Sequence, residues 1–183
     1  MNFDSRIIDC NFSYDEALRG LKIPGELRQN LELIEVEYLS FDNKIHQGQV
    51  VINRIISEEL KEIFQKLEEV EFAIEKVIPI VKYSWNDESS MKDNNSSAFN
   101  YRYIKGTKRL SNHSFGLAID INPLLNPFIG SDGVLFPKNA VYDKNKPGTI
   151  SASSDVVSIF KSFGWHWGGD WTSIKDYQHF EKT

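Results

Sequence analysis

The stretch from Ser111 to Asn122 constrains this chain more than any other. His113 and Asp120 stand seven residues apart. The small, apolar Gly116-Leu117-Ala118 step between them suits a backbone that turns tightly and then runs buried as a strand, which brings both polar side chains into one cavity. Near the C-terminus, Asp176 precedes His179 by three residues. Two imidazoles and one carboxylate make the three-residue donor set of a catalytic Zn²⁺ site with its fourth position open to water, and the carboxylate left over is a candidate general base.

Cys10 is the only cysteine. That excludes an intramolecular disulfide framework and any cysteine-rich zinc site, leaving histidine and carboxylate as possible ligands. A length of 183 residues, with ample Val, Ile, Leu and aromatic side chains, predicts a single domain with a buried core. The formal net charge of −5 works against long-range attraction to nucleic acid or an anionic membrane. Met1–Cys10 holds no apolar run long enough for a signal segment, and no later stretch could span a bilayer. The expectation is a protein not exported by that route, or one from which a leader has been removed.

Taken in order, Ser13 can cap a short helix over Tyr14–Leu21, with Gly20, Pro24 and Gly25 as breakers. Leu33–Leu39 alternates apolar with acidic residues, Asp42-Asn43-Lys44 is a turn, and Ile45–Ile52 returns: a β-hairpin. Ser57-Glu58-Glu59 opens a helix to about Val70, with Leu60, Ile63, Phe64 and Leu67 at helical spacing. Within Phe72–Tyr83 the apolar run Val77–Val81 predicts a strand, with Pro79 near an edge or bulge. Ser84–Ser97 reads as a long loop, and Ala98–Ile104 as a return to the sheet. Irregular connections follow Asn122-Pro123. Ser154 can cap a helix over Asp155–Phe163 that Gly164 ends. Trp165–Trp171 reads as strand and turn, and His179–Glu181 as a closing strand.

Other residues have plainer readings. His46 beside the hairpin turn and His166 between two tryptophans read as exposed or bystander residues. The C-terminal tryptophans read as core or pocket wall, and Gly168-Gly169 as a backbone requirement, since no phosphate-loop lysine pattern accompanies it.

Four motifs in series go beyond spacing. They are Phe99-x-x-Arg102; Ser111-x-His113-x-x-Gly116-x-Ala118-x-Asp120-x-Asn122-Pro123; Gly164-Trp165-x-Trp167-Gly168-Gly169-Asp170-Trp171; and Asp176-x-x-His179-Phe180-Glu181. From about residue 80 to the end, the chain closely resembles the M15 family of zinc peptidases. That family includes D-alanyl-D-alanine carboxypeptidases and dipeptidases, and phage L-alanyl-D-glutamate endopeptidases of the same cell-wall stem peptides.

The resemblance implies one Zn²⁺ per chain held by His113, Asp120 and His179, with Asp176 as general base. Many members have Glu at that last position, so Asp176 departs from the commoner pattern. Arg102 matches the substrate-binding arginine, and Ser111 and Asp170 become candidates to fix a ligand's tautomer through hydrogen bonds. The implied substrate is a peptidoglycan stem peptide, which suggests the cell envelope or periplasm if a leader has been removed; the sequence leaves the compartment open. No nucleic-acid partner and no membrane span are expected, and the chain is expected to be a monomer.

The predicted fold is α+β: a largely antiparallel sheet with flanking helices, the zinc site on one face and helices on the other. It forms one compact domain resembling the M15 fold, with residues 1–79 as an N-terminal hairpin and helix and residues 80–183 bearing the motifs. Two alternatives stay open. Two histidines and a carboxylate also bind Fe(II) in oxygenases, although there the carboxylate usually follows the first histidine by two residues. A non-catalytic cell-wall or protein-binding module could retain the fold, but would have no use for a base beside the metal.

Overall fold

The computed structural model describes residues 6–183; Met1–Ser5, the start of the stretch read above for a signal segment, lies outside them. The chain enters through a two-residue strand, Ile7–Ile8 (β1), and two short helices, Tyr14–Ala17 (α1) and Gly25–Gln29 (α2). Ser13 closes a capping box with Glu16, as its position predicts, but the helix ends four residues in and Gly20 turns away at φ +86°. Leu31–Leu39 (β2) and Ile45–Asn53 (β3) then pair antiparallel along their full length, Leu31 opposite Asn53 and Leu39 opposite Ile45.

Both faces of this hairpin are used. Ile34, Val36 and Tyr38 face the main core, while Leu31 and Val51 pack with Ala17, Leu18 and Phe99 on the other side. This second cover explains why β3 is buried over most of its length, where the alternation of β2 predicts one wet face. The helix Ser57–Glu69 (α3) follows a 3₁₀ turn whose cap is Asn53, its side chain accepting from Ile55 N at 3.2 Å. The predicted stripe of Leu60, Ile63, Phe64 and Leu67 is completely buried against β2.

Between residues 72 and 104 the structure departs from the sequence reading. The apolar run at Val77–Val81 forms only the strand Lys76–Val77 (β4); after Pro79 the chain winds into a 3₁₀ turn, Ile80–Tyr83. The predicted loop at 84–97 contains a helix, Asp87–Lys92 (α4), capped by Asn86, and a strand, Asn95–Ser96 (β5), parallel to β4. Helix α4 has no apolar stripe because only Ser90 and Met91 are buried, so periodicity could not reveal it. Ala98–Ile104 is extended but joins no strand; isolated bridges, Ser97 with Asp120 and Tyr103 with Leu110, hold its two ends.

The C-terminal half supplies Ala118–Asp120 (β6), a small hairpin of Phe128–Ile129 (β7) and Leu135–Phe136 (β8), the helix Asp155–Ser162 (α5), and the strands His166–Trp167 (β9), Lys175–Asp176 (β10) and His179–Glu181 (β11). The architecture is mixed α and β, as predicted. Most strand pairs are antiparallel, but among the described residues they do not join into the one sheet that the sequence predicts. Among the described residues the strands form small separate sheets in the orders β1-β3-β2, β10-β7-β8, β6-β11-β9 and β4-β5, and the β1–β3 and β4–β5 pairs are parallel. Short strands with irregular connections cannot propagate one ladder across the chain.

The sheet β6-β11-β9 carries the site. Phe180 faces Ile119 and Trp167 across its neighbours, and these side chains enter the core, where Phe160 of α5 stacks on Phe180 at 3.9 Å. Alternation turns Asp120, His179 and Glu181 to the opposite face. The N-terminal hairpin buttresses this region directly. Asn53 N donates to Gly116 O at 3.0 Å, and the Asn53 side chain donates to Phe115 O at 3.0 Å. Gly116 has φ +65°, and a Cβ built there would stand 2.6 Å from Asn53 N.

A Gly116→Ala substitution therefore meets backbone on one side and a left-handed conformation on the other. It is expected to lower stability by at least about 2 kcal/mol in urea denaturation. Gly25→Ala, with nothing within 4 Å of the new methyl, should stay within about 0.5 kcal/mol of the parent. Equal stabilities of the two variants would contradict this contact.

Candidate metal centre

Ser111 opens a 3₁₀ turn, Asn112–Phe115, by accepting from His113 N, and Gly116 closes it in the left-handed region. The turn seats His113 in the interior, where its ring Nδ1 lies 2.5 Å from the carbonyl of Ala98. A carbonyl can only accept, so Nδ1 carries the proton and the Nε2 lone pair is left to face inward. It faces two other buried groups. His113 Nε2 is 3.2 Å from Asp120 Oδ2 and 3.2 Å from His179 Nδ1, and His179 Nδ1 is 2.9 Å from Asp120 Oδ1.

These distances test whether a metal fits. Donors each about 2.0–2.2 Å from a tetrahedral Zn²⁺ lie roughly 3.3 Å from one another, which is close to what the three groups show. They are an imidazole, a carboxylate and a second imidazole, all buried, and they could hold a metal ion. The second imidazole is oriented as the first is. His179 Nε2 is 3.1 Å from Glu181 Oε2, which leaves Nδ1 toward the cluster, and Asn112 Nδ2 donates to the same carboxylate oxygen at 2.7 Å.

The electrostatics follow from burying these charges together. Burial alone would raise the Asp120 carboxyl, but the charges and hydrogen bonds of His113 and His179 outweigh it and hold Asp120 well below the ordinary range. Burial likewise works against a charged His179, yet its hydrogen bonds with Asp120 and Glu181, and the charges of Asp120 and Asp176, push it up to about 10. For Asp176, burial and the neighbouring Asp120 carboxylate push the carboxyl up to about 7. Asp176 is half-buried on β10 and accepts from Gln178 Nε2 at 3.1 Å.

Gly168 makes room for this neighbourhood. A Cβ there would lie 2.9 Å from Asp176 Cβ and 3.3 Å from His179 Cβ, so the Gly168-Gly169 step is a backbone requirement of the site. Trp167 Nε1 donates to Tyr177 O at 2.9 Å, and the Trp171 ring lies 5.4 Å from that of His179.

The structure thus brings His113, Asp120 and His179 together, with Asp176 charge-coupled to them. Arg102 is adjacent through its backbone, with Ser111 N donating to Arg102 O at 3.0 Å; its guanidinium Nε is 3.2 Å from Asp87 Oδ2 of α4. Ser111 and Asp170, expected to fix a ligand's tautomer, make their contacts elsewhere. The Ser111 hydroxyl caps the turn by accepting from His113 N, and Asp170 is exposed and paired with Lys161 at 2.7 Å. The groups on the ring nitrogens are the Ala98 carbonyl and Glu181 instead. Glu181 could have been found from the His-x-Glu spacing, since residues i and i+2 of a strand share a face; a carbonyl leaves no such signal. His166 is exposed as expected, while His46 is partly buried between Asp9 and Asp42, at 2.9 and 3.2 Å.

Part of this chain is similar to known proteins. Residues 105–182 match a model of the M15 peptidases described as D-alanyl-D-alanine carboxypeptidase. Over that segment, which is less than half of the chain, the protein is similar to the M15 peptidase family. The chain is also 38% identical over 82 residues to the peptidoglycan L-alanyl-D-glutamate endopeptidase CwlK of Bacillus subtilis (strain 168), a match covering 43% of this chain and 42% of that protein's length. The matched segment contains His113, Asp120, Asp176 and His179; it begins after Phe99 and Arg102, whereas the motif resemblance begins at about residue 80.

The sign of the His179 shift gives a test. Its folded value of about 10 exceeds the ordinary 6.5, so the proton it holds stabilises the metal-free fold in full below about pH 6.5 and is lost as pH rises through 10. Chelator-treated protein should lose stability over that range, and His179→Gln should lack this decline. A wild-type profile indistinguishable from that of His179→Gln would contradict the pairing.

Proposed function

We propose that the protein is a zinc-dependent peptidase acting on peptidoglycan stem peptides, with His113, Asp120 and His179 as metal ligands and Asp176 as general base. The observation that carries this reading is the buried His-Asp-His cluster beside a second carboxyl raised to about 7. The match of residues 105–182 to the M15 family model supports it. A divalent cation in the cluster would supply the positive charge that acidifies a water and polarises a peptide carbonyl.

The chain's own residues do the remainder. His113 and Asp120 present Nε2 and a carboxylate oxygen from the turn and from β6, while His179 presents Nδ1 from β11. Asp176 takes the proton of the attacking water and delivers it to the departing amine nitrogen as the C–N bond breaks. A carboxyl that titrates near neutrality is suited to both transfers. Arg102 donates hydrogen bonds to the substrate carbonyl oxygen as charge develops on it.

Cleavage within the peptide, between L-Ala and D-Glu, is favoured over removal of a terminal D-Ala. The Arg102 guanidinium is already neutralised by Asp87, 35% and 30% exposed respectively, which weakens its attraction for a terminal carboxylate more than for a neutral carbonyl. The similarity to an L-alanyl-D-glutamate endopeptidase supports the same choice.

Purified protein incubated with muropeptides should yield fragments, read by mass, that separate L-Ala from D-Glu; loss of a single D-Ala would identify the carboxypeptidase reaction. Asp176→Asn should retain stoichiometric zinc and lose turnover by roughly 10²–10⁴-fold. Undiminished turnover would remove Asp176 from the mechanism. His113→Ala should lose the metal, and full zinc content by elemental analysis would overturn the ligand assignment.

A further inference from the structure

We infer that Glu181 and Asn112 are positioning residues that aim His179 at the metal centre and tie it to the turn carrying His113. The inference rests on the metal-centre reading above and extends it to two side chains outside the donor set. Glu181 follows His179 by two residues on β11, so both project from the same face of the sheet. Its Oε2 is the partner of His179 Nε2 at 3.1 Å, and the same oxygen accepts from Asn112 Nδ2 at 2.7 Å.

One carboxylate oxygen therefore joins two segments that are distant in sequence. Asn112 is the residue before His113, so a shift of the turn is felt at Glu181, and through it at the ring of His179. The contact with Glu181 holds the ring so that Nδ1, and not Nε2, meets His113 and Asp120. A carboxylate on the remote nitrogen also makes the imidazole a stronger donor toward a cation.

Asn112 has a reason to be there. Glu181 faces His166 across the β9–β11 pair, and both line a pocket of about 490 Å³ with Trp171 and the Lys161–Asp170 pair. A glutamate with open volume on one side can rotate away from the ring. The Asn112 amide is the contact that keeps it turned inward.

The test measures Zn²⁺ affinity in chelator-buffered zinc, with folding followed by far-ultraviolet circular dichroism. Glu181→Ala should weaken binding by about 10–100-fold, the range found for partners of metal-ligating histidines. Asn112→Ala should weaken it in the same direction by less. Glu181→Gln keeps an acceptor oxygen without the charge and should fall between wild type and Glu181→Ala. In the zinc-loaded protein, the His179 Nε2–H proton should give a slowly exchanging ¹H–¹⁵N signal in wild type and Glu181→Gln that is lost in Glu181→Ala.

Folded Glu181→Ala and Asn112→Ala proteins that bind zinc as tightly as wild type would overturn the positioning roles alone. Should Glu181→Ala fail to fold, Asn112→Ala and Glu181→Gln decide the matter by the same criteria. A wild-type protein that binds no stoichiometric zinc, or His113→Ala protein that binds it fully, would overturn the metal-centre reading and the positioning roles with it.

Discussion

The antiparallel register that sets Asp120 opposite His179 is the contact on which the rest of the site depends. The two residues are 59 positions apart, and only the pairing of β6 with β11 puts their side chains on one face at 2.9 Å. A slip of one residue would turn Asp120 toward the core and Ile119 toward the site, so register and chemistry are one constraint. The core secures the register from behind. Phe180 is wedged against Ile119, Trp167 and Phe160, and its burial is incompatible with the slipped alternative.

Concentrating charge at that face has a cost that the surrounding structure offsets locally. Three ionisable groups are buried within hydrogen-bonding distance, and a fourth, Asp176, lies close enough to feel the Asp120 charge. Each imidazole has an acceptor on its far nitrogen, the Ala98 carbonyl for one and Glu181 for the other, so no ring is left to choose its own orientation. The network has the character of a preorganised cation site, in which the proton on His179 supplies positive charge that a divalent ion would supply instead.

The N-terminal residues are part of this support. The end of β3 meets Gly116 through Asn53, and Phe99 N donates to Val51 O. Glu59 of α3 accepts from Lys182 at 2.8 Å and from Trp165 Nε1 at 2.5 Å, tying the helix to both flanks of the C-terminal sheet. The largest hydrophobic cluster likewise draws on β2, α3, α5 and β11 together. The segment from residue 105 that matches the M15 model thus carries the four polar groups of the candidate site, while residues before it hold the turn and the strand in place.

Local pattern determined a good part of this protein. The β2–β3 hairpin, the buried stripe of α3, the Ser13 cap and the four polar residues His113, Asp120, Asp176 and His179 were all legible because each depends on spacing or on a motif read along the chain. Helix α4 and strand β5 were not, because their burial comes from neighbours remote in sequence and leaves no period. Tertiary structure alone decided that several small sheets replace a single one, that Arg102 is paired with Asp87, and that Glu181 and the Ala98 carbonyl orient the rings. Those outcomes depend on distances across the fold, and a sequence encodes such distances only through the packing that the whole chain must complete.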